Sequence, residues 1–132
     1  MTLNKSQKEI NLDEQHLNKV CDLRYLSEMM GGKNNLITGV MDTFIKQIPE
    51  ELNSINIAIS KNDYPVIKSF AHTMKSSVSI MGISVLIPIL VEMQNLGAEE
   101  TNIERIKELN ETLKFICRQA IDEIELEKRN YV

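Results

Sequence analysis

The sequence contains few glycines and prolines, and it has no long apolar run. Five glycines and three prolines among 132 residues are too few for a low-complexity or collagen-like chain, so long regular elements are expected. The longest stretch without a charged residue, 76–91, has 16 residues, whereas a membrane-spanning helix needs about 20 apolar residues. The first 14 residues contain five charged side chains and no apolar core of the signal-peptide type. We therefore expect no membrane segment and a cytoplasmic protein.

Cysteine is also scarce. Cys21 and Cys117 are 96 positions apart and belong to no C-x-x-C motif, so neither a zinc ribbon nor a thioredoxin-like site is expected. We interpret both as buried or half-buried thiols in a reducing compartment. Phosphate-binding glycine motifs, H-E-x-x-H and EF-hand loops are absent as well, and no Glu-x-x-His pair supports a di-iron bundle. The sequence therefore predicts no metal site.

The charge of the chain is acidic overall but uneven. There are 19 acidic and 15 basic side chains, for a net charge of −4, which argues against a nucleic-acid partner. Residues 64–91, however, contain Lys68 and Lys75 and no acidic residue, so this stretch carries +2 and the rest of the chain carries −6. A local positive patch is expected within an acidic protein.

Apolar residues recur at steps of three and four along most of the chain, which is the spacing of amphipathic helices. The spacing predicts four long helices, at 33–61, 64–81, 85–96 and 102–128, and a short helix at 23–30. No segment alternates like a strand. The predicted fold is all-α, an up-down-up-down four-helix bundle with a short additional N-terminal helix. We assign residues 21–128 to the bundle domain and residues 1–20 to an N-terminal arm or loosely attached helix.

Capping residues, glycines and prolines set the predicted helix limits. The residues predicted to cap helix starts are Asp22, Asp63 and Ser84, and the glycines predicted to end helices are Gly31, Gly32, Gly82 and Gly97. Pro49 lies inside the first long helix, where it is predicted to kink or divide it.

His72 lies on the outward face of the helix predicted at 64–81, almost opposite its apolar stripe. The side chains on the same outward face are Lys68, Lys75, Ser76 and Ser79. The two ammonium groups would stabilise a phosphoryl group attached to the imidazole, by about 1 kcal/mol each at an exposed site. A histidine between lysines is also common on a plain solvated helix face, so the spacing alone leaves both interpretations open.

The residues around His72 nevertheless form a recognisable string. Residues 71–77, A-H-T-M-K-S-S, followed by Gly82, resemble the signature A-H-x-L-K-[GS]-[SA] of histidine-containing phosphotransfer (HPt) domains, which has a glycine ten residues after the histidine. Residues 23–32 resemble the short first helix of that family, and residues 44–52 match its F-x-x-x-x-P-x-x-L pattern. Two positions depart from the common signature, since Met74 replaces Leu and Ser76 stands where Gly is frequent.

The resemblance implies a role for each matched residue. His72 would accept the phosphoryl group, Lys75 would support it with Lys68, Ser76 and Ser79 as neighbours, and Gly82 would shape the end of the helix. The implied reaction is reversible phosphoryl transfer between His72 and an aspartate of a response-regulator receiver domain. The implied partners are receiver domains of a hybrid sensor kinase and of a downstream regulator, which would supply Mg²⁺. No cofactor or kinase domain is expected in this chain.

Two other functions remain open at this point. The first is a helical interaction module that binds a partner without phosphotransfer. The second is a small all-α enzyme that uses Cys117 or His16, for which the sequence offers no supporting constellation. A docking surface for the receiver is predicted around Met29, Met30 and Ile37.

Overall fold

The chain forms a helical bundle in a computed structural model that describes residues 19–131. Its elements are α1 (Arg24–Met29), α2 (Asn34–Ser60), α3 (Tyr64–Ile80), α4 (Leu86–Glu99) and α5 (Ile103–Lys128), followed by a 3₁₀ turn, Arg129–Tyr131. Helix α2 contacts α3 and α5, and α4 also contacts α3 and α5, so the four long helices close a ring around one core. No strand occurs between residues 19 and 131. The predicted all-α bundle with a short extra helix is confirmed.

The arm predicted for residues 1–20 falls almost entirely outside the described part of the chain, and so does His16. Lys19 and Val20 are described, and the backbone N–H of Val20 donates to Glu123 Oε2 at 2.9 Å. In residues 19–131, no helix is both long enough and apolar enough to cross a membrane.

The core is built from one apolar stripe per long helix. In α3 the stripe is Ile67, Ala71, Met74 and Val78, and all four side chains are fully buried. Burial of each larger apolar side chain stabilises the fold by about 1.5–3 kcal/mol. Because the stripe occupies one side of the helix, the residues on its opposite side are left at the surface, as the spacing predicts.

Helix α3 begins and ends where its sequence predicts. Asp63 is the N-cap, and its Oδ1 accepts a hydrogen bond from the Val66 N–H at 3.4 Å. At the other end Gly82 has a left-handed φ of 65°, and the N–H of Ile83 donates to the Val78 carbonyl at 2.9 Å. This arrangement satisfies carbonyls that the helix end would otherwise leave unpaired.

The segment before α1 is tied to this end of α3. The Asp22 N–H donates to the carbonyls of Met81 and Gly82, at 3.2 Å each. The predicted cap by Asp22 is shifted by one residue: the N-cap position is Leu23, although Asp22 Oδ1 still accepts from the Arg24 N–H at 3.2 Å. The chain therefore enters α1 from a point beside the turn between α3 and α4.

The predicted start of α4 is wrong. Ser84 does not cap the helix, because α4 begins at Leu86 and its N-cap position, Val85, has a helical φ of −62° and makes no side-chain cap. The first donors are satisfied by the preceding turn instead, since Leu86 N–H donates to the Ile83 carbonyl at 3.0 Å. Backbone turns of this kind can replace a side-chain cap.

The predicted end of α4 before Gly97 is wrong, and α2 is not divided at Pro49, whereas a kink at Pro49 stays a prediction. Gly97 does not follow α4 but lies buried inside it, and the helix continues to Glu99. Pro49 does not divide α2, which runs unbroken from Asn34 to Ser60. Pro49 is exposed, so water can solvate the carbonyl that loses its N–H donor.

Candidate functional site

His72 is exposed in the middle of α3. Its neighbours Ala71 and Met74 are fully buried, which fixes the rotation of the helix and turns the imidazole outward. His72 is also the one histidine between residues 19 and 131. The exposed position predicted for it is therefore the observed one.

Lys68, His72, Lys75 and Ser79 follow one another at steps of four, three and four, so they form one stripe along α3. This stripe borders α4, because Gly97 of α4 lies directly beside Lys68. Lys68 is exposed and Lys75 is half-buried, and neither makes an ion pair with another described residue. Both ammonium groups are therefore available to an anion near His72.

The two serines of the site are not equivalent. The Ser79 hydroxyl donates to the Lys75 carbonyl at 2.7 Å, so its hydrogen is already engaged in the helix backbone. Ser76 is exposed one turn after His72, and no hydrogen bond of its side chain is found within residues 19–131. Ser76 is consequently the better placed of the two to donate to a group on His72.

Gln94, which was not predicted from the sequence, contacts the imidazole from α4. Its Nε2 lies 3.3 Å from His72 Nδ1, while its Oε1 is buried and makes no hydrogen bond with any described residue. A signal was present in the chain: His72 lies eleven residues before Ile83 and Gln94 eleven residues after it. Because α3 and α4 are antiparallel and are joined by the turn at Ile83, residues 72 and 94 lie at the same level along the two helices.

On its far side, α4 is held by an ion pair with α5. Arg105 Nε donates to Glu92 Oε2 at 2.6 Å, and its Nη2 donates to Glu92 Oε1 at 3.0 Å. The Arg105 guanidinium lowers the pKa of the Glu92 carboxyl. Paired hydrogen bonds of this geometry are directional, so they help to orient the helix that carries Gln94.

The surface around His72 is open. Two cavities, of about 670 and 290 Å³, lie elsewhere on the bundle, and neither is lined by His72 or Gln94. Among residues 19–131 there is also no group of three or more His, Cys, Asp or Glu side chains that could hold a metal ion. The imidazole is therefore reached directly from the protein surface and not through either of these cavities.

The predicted docking residues are only partly exposed. Ile37 is fully buried, so its assignment to a docking surface is wrong, and Met30 is half-buried. Met29 is 42% exposed. Leu36, and not its neighbour Ile37, lies at the surface of α2, where it is 44% exposed. The one-residue difference decides which face of α2 the side chain occupies, since successive helical residues are about 100° apart.

The two thiols lie in the protein interior, as predicted. Cys117 is fully buried and Cys21 is half-buried. Burial, reinforced by the Glu123 carboxylate, raises the pKa of the Cys21 thiol to about 12. Burial and the charge of Glu51 raise the pKa of Cys117 to about 12 as well. Neither sulfur is therefore an activated nucleophile, which argues against a cysteine-dependent enzyme.

Comparison with known proteins identifies the family. A model of the Hpt domain matches residues 39–125, which include all of α3 and α4. Among solved structures, histidine-containing phosphotransfer protein B (HptB) from Pseudomonas aeruginosa PAO1 has a similar fold, with a TM-score of 0.79 and 21% sequence identity over 87% of this chain and 99% of that chain. No curated protein sequence matches the chain. Because the family model covers more than half of the sequence, the chain belongs to the Hpt domain family and has a histidine phosphotransfer role in two-component phosphorelays.

Proposed function

We propose that His72 accepts a phosphoryl group from a receiver-domain aspartate of a hybrid sensor kinase and passes it to the receiver domain of a downstream regulator. The observation that carries this proposal is the exposed imidazole, which Gln94 contacts through Nδ1. Nε2 is the ring nitrogen left without a partner among the described residues. It is therefore the atom that an incoming phosphoryl group meets.

The chemistry requires one of the two imidazole tautomers. A neutral imidazole carries its hydrogen on one nitrogen and a lone pair on the other, and Nε2 is a nucleophile only when the hydrogen is on Nδ1. Rotation of the Gln94 side-chain amide by about 180° exchanges its oxygen and nitrogen. Oε1 then lies beside His72 Nδ1 and accepts the Nδ1 hydrogen. Gln94 then holds the ring in the reactive tautomer.

In this tautomer, phosphoryl transfer to His72 needs no further acid or base from this chain. The Nε2 lone pair forms the bond to phosphorus while the bond from phosphorus to the aspartate oxygen breaks, and the aspartate leaves as a carboxylate. The ring becomes a phospho-imidazolium whose Nδ1–H remains hydrogen-bonded to Gln94. The receiver domain supplies Mg²⁺ and the acidic site, so this chain contributes a positioned nucleophile.

Lys75, Lys68 and Ser76 support the bound phosphoryl group. Each of the two ammonium groups contributes about 1 kcal/mol or less, and salt weakens the contribution further. These contacts stabilise the phosphorylated state only modestly, which suits a group that must be passed on. Ser79 takes a smaller part, because its hydroxyl hydrogen is bound to the Lys75 carbonyl.

The experiment that tests the assignment uses receiver domains from the same genome, phosphorylated with radiolabelled acetyl phosphate. Acid-labile, alkali-stable label is expected on the wild-type chain and on His16→Gln, and it is expected to be absent from His72→Gln. The His16→Gln variant is the matched control, because it removes the other histidine of the sequence. Label that persists on His72→Gln would assign the chemistry to another residue. A wild-type chain that no receiver labels would instead favour an interaction module without phosphotransfer.

Lys75→Ala tests the supporting charge. We expect phosphoryl transfer about two- to fivefold slower, in line with the loss of roughly 0.5–1 kcal/mol. The unfolding midpoint should be normal, because Lys75 makes no ion pair with any residue between 19 and 131. Lys61→Ala is the control, since Lys61 is an exposed lysine at the turn before α3. Equal rates in the wild type and in both variants would remove Lys75 from the mechanism.

A further inference from the structure

Gly97 is a glycine in the last turn of a regular helix, and it does not have the positive φ for which glycine is usually required. It lies in α4, two residues before the last residue of the helix, and it is buried. Glycine has a lower helix propensity than alanine. A reason for its presence must therefore come from what lies beside it.

The residue beside Gly97 is Lys68 of α3. A Cβ atom at position 97 would lie 3.1 Å from the Lys68 N and Cβ atoms and 3.2 Å from its Cα, which is closer than the 3.5–4.0 Å optimum for carbon atoms. These atoms belong to the α3 backbone or are bonded directly to it, so they cannot move without the helix. Any side chain at position 97 would push α4 away from α3.

The close approach lies one helical turn from the contact between Gln94 and His72. Gln94 precedes Gly97 by three residues, and His72 follows Lys68 by four. The contact joins the Gln94 amide to His72 Nδ1 at 3.3 Å, measured from Nε2, and the amide oxygen takes the place of Nε2 when the ring is in the reactive tautomer. This separation is already slightly beyond the usual range for a protein hydrogen bond, about 2.7–3.2 Å. A further separation of a few tenths of an ångström would lose this hydrogen bond.

We propose that Gly97 is a positioning residue for phosphotransfer, because the close packing of α4 on α3 at Lys68 holds the Gln94 amide against the His72 ring. The inference rests on the proposed function of His72, and it adds a device that sets the ring tautomer from the neighbouring helix. Gly39 provides the contrast. It also lies inside a helix, α2, but a Cβ atom there would have nothing within 4 Å.

The test compares Gly97→Ala and Gly97→Val with the control Gly39→Ala in the full chain. The primary measurement is the ¹⁵N chemical shift of the two His72 ring nitrogens by NMR, assigned with His16→Gln and read without any phosphodonor. Gln94→Leu defines the shifts of a ring that lacks the contact. Unfolding midpoints establish that each variant is folded, and Gly97→Ala decides the result if Gly97→Val does not fold.

We expect the ring shifts of Gly97→Ala to move toward those of Gln94→Leu, those of Gly97→Val to move further, and those of Gly39→Ala to match the wild type. Phosphotransfer should slow by about two- to tenfold in Gly97→Ala, as expected for the loss of one neutral hydrogen bond. Wild-type ring shifts in a folded Gly97→Ala variant would overturn the inference, and so would an equal change in Gly39→Ala. The ring shifts decide this point even if the wild type accepts no label, which would refute the proposed function alone.

Discussion

Replacement of Gly82 by alanine is expected to destabilise the bundle strongly, for two reasons that can be separated. The first is the left-handed φ of 65° at this position, which costs a residue with a Cβ atom about 1–2 kcal/mol. The second is space, since the new Cβ would lie 2.0 Å from the Asp22 carbonyl oxygen and 2.8 Å from the Asp22 nitrogen. The segment before α1 would have to move away by more than 1 Å to restore an ordinary contact distance.

The displacement also breaks backbone hydrogen bonds. The Asp22 N–H donates to the carbonyls of Met81 and Gly82, and loss of this donor's bonds costs about 1 kcal/mol. Together with the backbone strain, Gly82→Ala should lower the free energy of unfolding by about 2–3 kcal/mol. With a denaturant slope of about 2 kcal/mol per molar urea, the unfolding midpoint falls by about 1–1.5 M.

Gly31→Ala is the matched control for this prediction. Gly31 has nearly the same backbone conformation, with a φ of 62°, but a Cβ atom there would have no neighbour within 4 Å. Its replacement should cost only the backbone strain, about 1–2 kcal/mol. Urea unfolding followed by circular dichroism measures both variants. Equal midpoints for Gly82→Ala and Gly31→Ala would show that the contact with Asp22 contributes nothing.

Two further predictions concern buried ionisable groups. One oxygen of Glu51 is buried without a hydrogen-bond partner among the described residues, and burial raises the pKa of its carboxyl. Glu51→Met should therefore stabilise the protein by about half a kcal/mol at pH 7, a value reduced by the partial exposure of the group. The folded state binds this proton more tightly than the unfolded state, so the advantage of Glu51→Met should shrink as the pH falls toward about 4, and urea midpoints that differ equally at pH 7 and pH 4.5 would contradict this cause. Cys21 and Cys117 both have a pKa of about 12, so iodoacetamide at pH 8 should modify them slowly in the folded protein and rapidly in urea. Mass spectrometry measures the labelling, and rapid labelling of Cys117 in the folded protein would refute its burial.

Features that depend on one helix alone were predictable from the sequence. The burial of Ala71 and Met74 and the exposure of His72 follow from helical spacing, because each helix must bury one face against the others. Asp63 and Gly82 were also read correctly, since a cap or a left-handed residue acts on the backbone within a few positions along the chain. For the same reason Asn102 precedes α5 as its N-cap, where the last predicted helix begins.

Two of the incorrect predictions, those for Ser84 and Gly97, concern α4, and they share a cause. Serine is a common N-cap residue and glycine commonly follows the end of a helix, so local preference favours a cap at Ser84 and a helix end before Gly97. In the folded protein a backbone turn from Ile83 replaces the cap, and Gly97 is accommodated by its contact with Lys68. Both outcomes depend on where α3 lies relative to α4, and local propensity contains no information about that packing.

The same dependence explains why Gln94 escaped the sequence analysis although it contacts His72 directly. On α4 alone, Gln94 is a polar residue near the apolar residues Met93 and Leu96, and nothing distinguishes it from an ordinary surface residue. Its position becomes informative only when the chain is folded back at Ile83 and residues at equal distances from the turn are compared. That step needs the pairing of two helices, which a motif centred on His72 does not describe.

The surroundings of His72 contribute orientation more than charge. Two exposed or half-buried ammonium groups at about 1 kcal/mol each, further screened by salt, cannot hold a phosphoryl group by electrostatic attraction alone. A hydrogen bond at Nδ1, by contrast, determines which ring nitrogen keeps a lone pair, and it does so before any partner arrives. In the proposed mechanism, the reactivity of His72 therefore depends most on the arrangement of α3 against α4, and the lysines adjust how long the phosphorylated product persists.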